Sequence, residues 1–366
     1  MGRGWGVDPF SLPFPNREAW LIMKTIIAGG TPLESPPGGD LPRRPPRETA
    51  DGFRKTLHCP LERNKLLAPL STLGVGGYAE YYAEPSDLED FLLLHRLARE
   101  ENMPLYVLGG GSNVVFADGS FSGIVVSTRR WTAVWQIPMG DRVVVDVQAG
   151  HVLASLVSGT AKDGLSGLEF ALGIPGTIGG AVAGNVGAGG RSIGECLDEV
   201  VAIEPDGSLR RWRRGEFSCS YRRCSLLEAG RLLLSCKLSF SPGPRIEIEA
   251  RLRHFRSVRG IQPHGGRSAG CSFKNPEGES AGRLLDLCGC KGISSGDAVV
   301  SDRHANFILN RGRATAEEVL SLMRICRNRV LEHTGILLEP EVRFLGWGLS
   351  FGDNGDGSML QMTSGN

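Results

Sequence analysis

The sequence predicts a mixed α+β fold divided into more than one packed unit, and three observations support this prediction. First, the chain has 366 residues, more than a single hydrophobic core usually serves. Second, short β-branched runs alternate with segments of helical periodicity. Third, glycine accounts for 51 residues, about twice its usual share of roughly 7%. This glycine content indicates many places where the backbone approaches another group closely.

Composition and charge argue against several classes of function. The formal net charge is +1, so the chain has no overall field that would attract a nucleic acid or an acidic membrane surface, and neither partner is expected. No window approaches the roughly 18 consecutive apolar residues of a membrane span, and the N-terminus shows no secretory pattern. The nine cysteines are scattered, which favours a reducing compartment. We therefore expect a cytoplasmic protein.

The closest cysteine pair is Cys288 and Cys290. It has neither a second pair nor a following histidine at the spacing of a zinc site. We expect no bound metal and interpret these residues as core thiols.

The two ends of the chain differ from the rest. Nine of the 21 prolines lie in the first 46 residues, and this part has no period of 2 or 3.6. Residues 1–56 are therefore predicted to form a disordered N-terminal extension, within which Met23 offers an alternative start. Residues 348–366 are rich in glycine and serine and are predicted to form a flexible tail.

Between these ends, the first elements are predicted in chain order. Ser86 and Glu89 form a capping box ahead of an apolar segment, which predicts a helix that ends before Pro104. A buried strand is predicted over 105–108. Further β-branched runs predict strands at 114–116, 123–126 and 142–147.

A second helix is predicted near the C-terminus. Thr315 and Glu318 form its capping box. Its apolar residues share one face and are predicted to pack on a sheet: Val319, Leu322, Met323, Cys326 and Val330. The alternation of such helices with short strands indicates an α+β architecture of the flavin- or nucleotide-binding type.

A glycine loop follows the strand predicted at 105–108. Gly109 to Asn113 offer consecutive backbone N–H groups without bulky side chains, which suits the close approach of a pyrophosphate. A tight turn between two strands is the alternative reading. The loop differs from a Rossmann motif, because a strand rather than a helix follows it.

A second glycine cluster favours ligand binding over a simple turn as the interpretation of these glycines. Ten glycines lie between 164 and 190, and glycine inside a helix or strand costs roughly 0.5–1 kcal/mol relative to alanine. We expect no ordinary core element there and infer that a large, flat ligand lies against the main chain.

Six motifs in order identify the family that the sequence resembles. From about residue 60 to about residue 347, the chain is similar to the UDP-N-acetylenolpyruvoylglucosamine reductase (MurB) family. The motifs are PLSTLGVGG (69–77), VLGGGSN (107–113), GLEFALGIPGTIGGA (167–181), SYR (220–222), SAGCSFKNP (268–276) and LEPEVR (338–343). Only about 45 residues separate the fourth motif from the fifth. The chain therefore resembles the shorter type, which lacks an extra tyrosine loop.

The resemblance implies a fold and its boundaries. It implies an α+β protein with a two-subdomain FAD-binding module of the vanillyl-alcohol oxidase-like (PCMH) type, followed by a C-terminal α+β substrate-binding domain. The expected ranges are 57–128 and 129–240 for the two subdomains and 241–347 for the UDP-sugar domain.

The resemblance also implies a reaction of peptidoglycan precursor synthesis. A hydride passes from NADPH to N5 of non-covalently bound FAD, and then to C3 of the enolpyruvyl group of UDP-N-acetylglucosamine enolpyruvate. The product is UDP-N-acetylmuramate. Charge that develops at C2 needs a cation, a second polar group and an acid. We expect a monomer with no partner besides this substrate and NADPH.

Three residues match the catalytic positions. Arg222 is expected to hold the substrate carboxylate and Glu341 to stabilise the enolic charge with it. Cys271 is expected to protonate C2, because a thiol of ordinary pKa about 8.5 is mostly protonated at neutral pH. Most family members have serine at this position. On pattern alone, a surface arginine, a solvated glutamate and an inert core cysteine remain the alternatives.

The resemblance assigns the remaining site residues as well. The substrate-binding residues are Tyr221, Lys274 and Asn275. His304 and Asn306 receive no catalytic role. The FAD-binding residues are Gly109, Gly110, Gly111, Ser112, Asn113, Gly173, Ile174, Pro175, Gly176, Gly179, Gly180, Ala181, Asn185 and Gly187.

Two other functions remain open at this point. Another flavin oxidoreductase of the same superfamily would often carry a histidine or cysteine joined covalently to the flavin, and no residue matches such a position. A non-catalytic nucleotide-sugar sensor would keep the glycine loops and lose the acid. Cys271 in place of serine bears on this possibility, but Arg222 and Glu341 are both present, which favours a working enzyme.

Overall fold

A computed structural model describes residues 56–260, 262–263 and 266–346. The predicted extension, up to residue 55, and the predicted tail lie outside the described residues. The helices and strands below are numbered in chain order.

The first sheet lies in the N-terminal part of the described chain. Its strand order is β1-β2-β5-β3, in which β1 pairs antiparallel with β2, and β5 pairs parallel with both β2 and β3. The strands of this part are β1 (Leu61–Leu66), β2 (Tyr78–Ala83), β3 (Leu105–Leu108), β4 (Val114–Phe116) and β5 (Ser120–Ser127). The predicted strand at 105–108 is confirmed, but it is an edge strand, so only Leu108 is fully buried.

Helix α1 (Leu88–Glu100) connects β2 to β3 and begins one residue later than predicted. Asp87, and not Ser86, is the N-cap: its carboxylate accepts a hydrogen bond from the N–H of Asp90. The predicted capping box of Ser86 and Glu89 is therefore wrong, because an aspartate one position further on supplies the cap equally well.

The second part of the chain forms an antiparallel sheet of order β12-β11-β15-β7-β6, with β8 paired to β15. Helices α2 (Leu153–Lys162) and α4 (Arg245–Arg259) both contact the short 3₁₀ turn Glu169–Ala171. The strands are β6 (Val134–Met139), β7 (Arg142–Gln148), β8 (Leu165–Ser166), β9 (Gly187–Ala188), β10 (Arg191–Ser192), β11 (Leu197–Ile203), β12 (Leu209–Arg213), β13 (Cys219–Ser220), β14 (Arg223–Cys224) and β15 (Leu232–Pro242).

Two short hairpins and one short helix complete this part. β9 pairs with β10, and β13 pairs with β14. The short helix is α3 (Ile178–Ala183). Two further 3₁₀ turns of this part lie at Ile193–Glu195 and Ser225–Ala229, and one of the first part lies at Ala68–Leu70.

The third part has a small antiparallel sheet of order β16-β17-β18 that α6 (Ala316–Thr334) covers. The Thr315–Glu318 capping box is present, and the five predicted apolar residues of this helix are buried, so this prediction is confirmed. The other elements are α5 (Ala281–Leu287), β16 (Ser294–Ser295), β17 (Ala298–Val300), β18 (Ile308–Asn310) and β19 (Arg343–Leu345).

Several contacts join the third part to the first. β19 pairs in parallel with β4. The carboxylate of Asp118 accepts hydrogen bonds from the N–H groups of Ala316 and Glu317, at 2.8 and 3.0 Å, and so binds the start of α6. The buried side chain of Asn310 donates to Leu73 O at 3.0 Å. These contacts join residues that are about 200–240 positions apart in the sequence.

The three expected domain ranges remain a prediction. Each of them contains a sheet, but β15 runs to Pro242, across the expected boundary at 240. Helix α4, expected in the UDP-sugar domain, is linked to the second part by an ion pair between Arg251 Nε and Glu169 Oε1, 2.9 Å apart.

Candidate active site

A two-residue turn between β13 and β14 carries Tyr221 and Arg222. Arg222 has a φ of +57°, in the left-handed region that residues other than glycine rarely adopt. Asn185 supports this hairpin: its Nδ2 donates to Ser220 O at 2.8 Å, and its Oδ1 accepts from the N–H of Gly194 at 3.0 Å. The strained conformation of Arg222 is therefore held by the pairing of the hairpin and by a buried amide beneath it.

Residues 271–275 form a second segment of the site, and Asn306 fixes it. Cys271 forms an isolated β-bridge with Phe307. The N–H of Phe273 donates to Asn306 Oδ1 at 2.9 Å, and Asn306 Nδ2 donates to Phe273 O at 2.8 Å. Because Asn306 is only 2% exposed, it satisfies two backbone groups that burial would otherwise leave unpaired. It braces the loop and does not face the site.

Glu341 brings a third segment to the same place. Its N–H donates to Ser272 O at 2.8 Å, and its carbonyl oxygen accepts from Asn113 Nδ2 at 3.1 Å. Its carboxylate oxygen Oε1 lies 2.7 Å from Arg222 Nε. The Nε–H bond does not point along this contact, so the buried Nε has no hydrogen-bond acceptor among the residues described.

Burial shifts the pKa of the two other groups of the site, the Cys271 thiol and the Glu341 carboxyl group. It raises the pKa of the Cys271 thiol to about 12; the negative charge of Glu341 adds to this, whereas the positive charges of Arg222 and Arg259 oppose it. Burial also raises the pKa of Glu341, against the effects of Arg222 and Lys274. Cys271 therefore stays protonated at neutral pH, as expected, and more firmly than its ordinary pKa implied.

The expected substrate-binding residues lie on the rim of this cluster. Tyr221 is 56% exposed, and its hydroxyl accepts from the N–H of Asn275 at 3.2 Å. Lys274 Nζ lies 3.1 Å from Glu339 Oε2. Asn275 Oδ1 accepts from the N–H of Ala281 at 3.0 Å, so this oxygen is used at the start of α5.

The two glycine loops pack directly on each other. A Cβ on Gly110 would lie 2.9 Å from Gly176 Cα, and one on Gly109 would lie 2.4 Å from Thr177 Oγ1. The Ser112 hydroxyl donates to Pro175 O at 3.2 Å. The sequence predicted two separate loops against one ligand, and the structure shows that both form one surface.

Part of the second cluster is helical, contrary to the expectation of no ordinary core element. Gly179, Gly180 and Ala181 belong to α3, which Thr177 caps by accepting a hydrogen bond from the N–H of Gly180. A Cβ on Gly179 would lie 2.9 Å from Ala149 Cβ, so this glycine allows close packing of the helix. Gly187 lies in β9, where a Cβ would meet Arg191 O at 2.4 Å. Backbone packing thus explains some of these glycines.

Sequence reasoning missed Arg259, at the end of α4. Its positive charge acts on both Cys271 and Arg222, and burial lowers its own pKa. Its Cδ lies 3.5 Å from the position of a Cβ on Gly173. Arg259 is one of several arginines in this helix, and nothing in their spacing distinguishes it.

Comparison with known proteins decides the family. An FAD binding domain model matches residues 79–213, and the model of the UDP-N-acetylenolpyruvoylglucosamine reductase C-terminal domain matches residues 262–345. The UDP-N-acetylenolpyruvoylglucosamine reductase of Gloeobacter violaceus is 41% identical over 289 residues, which cover 78% of this chain and 96% of that protein. The enzyme of Synechococcus elongatus is 38% identical over 283 residues, 76% of this chain and 93% of that protein.

The chain belongs to the UDP-N-acetylenolpyruvoylglucosamine reductase family. The crystal structure of the family member from Thermus caldophilus, 35% identical, covers 78% of this chain and 99% of its own chain with a TM-score of 0.67. The expected α+β fold class, with its FAD-binding module and C-terminal domain, is thereby confirmed. The chain is an FAD-dependent oxidoreductase of peptidoglycan precursor synthesis.

The residues of the FAD-binding region fit this cofactor. Within the described chain, the N–H groups of Gly110, Gly111 and Ser112 donate to no other residue, and neither do those of Gly173 and Gly176. These N–H groups lie in two adjoining loops without large side chains, which suits a pyrophosphate held by main chain. The individual cofactor residues remain a prediction.

The described residues between Arg222 and Ser268 form only β14, β15, α4 and one 3₁₀ turn, which fits the shorter type of the family. Cys288 and Cys290 are buried in the hydrophobic core of the third part.

In the described part of the chain, no helix combines the length and apolar character of a membrane span.

Proposed function

We propose that this reductase converts UDP-N-acetylglucosamine enolpyruvate to UDP-N-acetylmuramate with NADPH as the reductant. The observation that carries the proposal is the meeting of Arg222, Cys271 and Glu341, which come from three separate segments of the chain. The relatives are named for a reductase of the enolpyruvyl sugar, and these three groups meet the needs of that reaction.

Arg222 binds and polarises the substrate carboxylate. FAD, held by the loops Gly109 to Asn113 and Gly173 to Gly187, would supply the hydride chemistry that links NADPH to C3 of the enolpyruvyl group. Negative charge then develops at C2 and spreads into the carboxylate. Because the guanidinium is held beside Glu341 and its Nε lacks a hydrogen-bond acceptor among the described residues, it is ready to donate to this carboxylate.

Cys271 donates the proton to C2. Burial keeps its thiol protonated, with a pKa of about 12. Such a weak acid does not lose its proton to solvent at neutral pH, yet it can protonate a carbanion-like centre, which is far more basic. Glu341, beside both groups, orients Arg222 through the 2.7 Å contact between Glu341 Oε1 and Arg222 Nε, and so helps Arg222 to stabilise the enolic charge.

The rim residues bind the nucleotide sugar. Lys274 offers a cation to the diphosphate, and Tyr221 and Asn275 close the site on the sugar side. The absence of a strong net charge supports a small anionic substrate rather than a polyanion. We infer a monomer of the cytoplasm, where NADPH is supplied.

The first test separates the two half-reactions in Cys271→Ala. NADPH should bleach the flavin of this variant at the normal rate, whereas reoxidation by the enolpyruvyl sugar should slow by about 10²–10⁴-fold, the usual cost of losing a general acid. Rapid-mixing absorbance of the flavin band measures both rates.

Cys271→Ser is the matched control. It keeps a protic group in the same place and should retain most of the activity. If Cys271→Ala reoxidises as fast as the wild type, the thiol is not the donor, and Ser272 becomes the candidate. If the wild type is not reoxidised by the enolpyruvyl sugar at all, the proposed substrate is wrong.

A further inference from the structure

Two cysteines face each other across the hairpin that carries Arg222. Cys219 in β13 is the register partner of Cys224 in β14, and Ser220 is the partner of Arg223. Tyr221 and Arg222 form the turn between these pairs. The two cysteines therefore close the base of the turn, one residue pair away from it.

The pairing geometry suits a disulfide. The N–H of Ser225 donates to Ser218 O at 3.0 Å, so the pair next to the cysteines is a hydrogen-bonded one. Hydrogen-bonded and non-hydrogen-bonded pairs alternate in an antiparallel ladder, which makes Cys219 and Cys224 a non-hydrogen-bonded pair with a Cα–Cα separation of about 4.5 Å. This value lies within the range of about 4.4–6.8 Å that disulfides span.

The thiols are already in contact. Neither is in a disulfide bond, and the two thiols are hydrogen-bonded to each other. This hydrogen bond, followed by burial, raises the pKa of Cys219. Cys219 is partly exposed, whereas Cys224 is buried. A disulfide reagent in solvent therefore reaches Cys219 first. Cys224 lies beside it, where its sulfur can displace the reagent from Cys219.

A second thiol pair in the described chain lacks this access. Cys290 and Cys326 are also hydrogen-bonded to each other, but their exposed fractions are 0% and 1%, within the core of the third part. This pair serves as an internal control, because it has the contact without the exposure.

We propose that Cys219 and Cys224 are a redox-active dithiol that a low-molecular-weight disulfide oxidises to an intramolecular disulfide, and that this bond displaces Arg222. The thiolate of Cys219 attacks the external disulfide, which forms a mixed disulfide and releases one small thiol. The thiolate of Cys224 then attacks Cys219 Sγ and releases the second. Two electrons pass to the external disulfide, and the two protons end on the released thiols.

The effect on Arg222 rests on the proposed function and follows from a change in the base of the hairpin, because a Cα–Cα separation of about 4.5 Å is at the short end of the disulfide range, whose mode is about 5.5–6 Å. Bond formation brings the sulfurs from hydrogen-bonding distance to about 2.05 Å. The turn begins one residue away, and Asn185 holds the strand at Ser220 O, so the strain falls on Arg222, whose φ is already positive. A shift of about 1 Å in a positioning group can cost 10²-fold in rate.

The first experiment measures the bond itself. The FAD-bound enzyme is equilibrated with reduced and oxidised glutathione at fixed ratios, quenched by alkylation and analysed by peptide mass spectrometry. We expect a Cys219–Cys224 disulfide, formed faster at pH 9 than at pH 7, while Cys290 and Cys326 remain alkylatable thiols after unfolding. Full alkylation of Cys219 and Cys224 under oxidising ratios would overturn the proposal.

The second experiment measures the effect on catalysis. In the enzyme that carries the Cys219–Cys224 disulfide, reoxidation of the reduced flavin by the enolpyruvyl sugar should be about 10–100-fold slower. Reduction of the disulfide with dithiothreitol should restore the rate. Cys219→Ser should be insensitive to oxidised glutathione, because it lacks the thiol that attacks first. Cys224→Ser should stop at a mixed disulfide on Cys219, and Cys326→Ala should respond as the wild type does. An unchanged rate in fully oxidised enzyme would overturn the link to Arg222. If the reduced enzyme shows no reoxidation by this sugar, the proposed function fails, and the mass-spectrometric result still decides the dithiol.

Discussion

At the scale of single residues, Cys271 has the environment of a proton donor that resists ionisation. Burial and the negative charge of Glu341 raise its pKa, and the positive charges of Arg222 and Arg259 only partly offset this. The thiol therefore does not become a thiolate at neutral pH, which is compatible with its proposed role as the proton donor.

This environment predicts the pH dependence of flavin reoxidation by substrate. A thiol with a pKa of about 12 is well under 1% ionised at pH 9.5, whereas one of ordinary pKa, about 8.5, is mostly ionised there. The rate should therefore stay level from pH 7 to 9.5. On the acid side it should fall as Glu341, whose pKa is raised by burial, takes up a proton.

The measurement mixes pre-reduced enzyme rapidly with substrate at a series of pH values, from acid pH up to pH 9.5. Cys271→Ser is the control, since its hydroxyl does not titrate in this range. A loss of rate centred near pH 8.5 in the wild type alone would show that the thiol has an ordinary pKa.

The residues proposed to carry the reaction chemistry could be selected from the sequence because their motifs are specific. Arg222, Cys271 and Glu341 lie together as the motif match implied. Arg259 was missed because its role depends on where α4 ends relative to the second glycine loop, and helical periodicity carries no information about that contact.

At the scale of elements, the cap of α1 is open to a direct test. Asp87→Ala removes the carboxylate that accepts from the N–H of Asp90 and should lower the free energy of unfolding by about 1 kcal/mol. Ser86→Ala is the matched control and should leave it unchanged, because Ser86 is not the cap. Urea unfolding of both variants decides; equal losses would restore the Ser86 cap.

The contact between the glycine loops gives a second prediction at this scale. In Gly110→Val, the Cβ would lie 2.9 Å from Gly176 Cα, and the backbone on both sides must move. The backbone N–H groups of the two loops then lose the relative positions that suit a pyrophosphate. The purified variant should therefore be folded but nearly colourless.

Absorbance at the flavin band relative to that at 280 nm measures the bound FAD. Gly159→Ala is the control, since a Cβ at this helical position meets nothing within 4 Å, and it should keep full flavin content and gain about 0.5–1 kcal/mol of stability. Full flavin in Gly110→Val would contradict the assigned loop.

Elements with strong local signals were predictable, and those set by distant partners were not. The capping box at Thr315 and the β-branched runs gave α6 and strands β3, β4, β5 and β7. By contrast, β13 and β14 contain two residues each, too few to show any alternation. The helical part of the second glycine cluster depends on contact with Ala149, which outweighs its low propensity.

At the scale of the whole molecule, the site depends on contacts between residues far apart in sequence. Glu341 is placed by Asn113 and by the pairing of β19 with β4, more than 200 residues away along the chain. No local pattern predicts a parallel pair of three residues at that separation. The family resemblance predicted the meeting of these segments, and the backbone contacts explain it.

The last prediction concerns which part of the chain the enzyme needs. Removal of residues 1–55 should leave the melting temperature and turnover nearly unchanged, because that proline-rich composition offers little apolar area to bury. The Gloeobacter violaceus relative supports this expectation, since 96% of its length matches only 78% of this chain. Removal of residues 1–66 is the matched control. It also deletes β1, which pairs along the edge of the first sheet, and should lower the melting temperature markedly. A comparable loss after removal of residues 1–55 would show that these residues contribute to the folded enzyme.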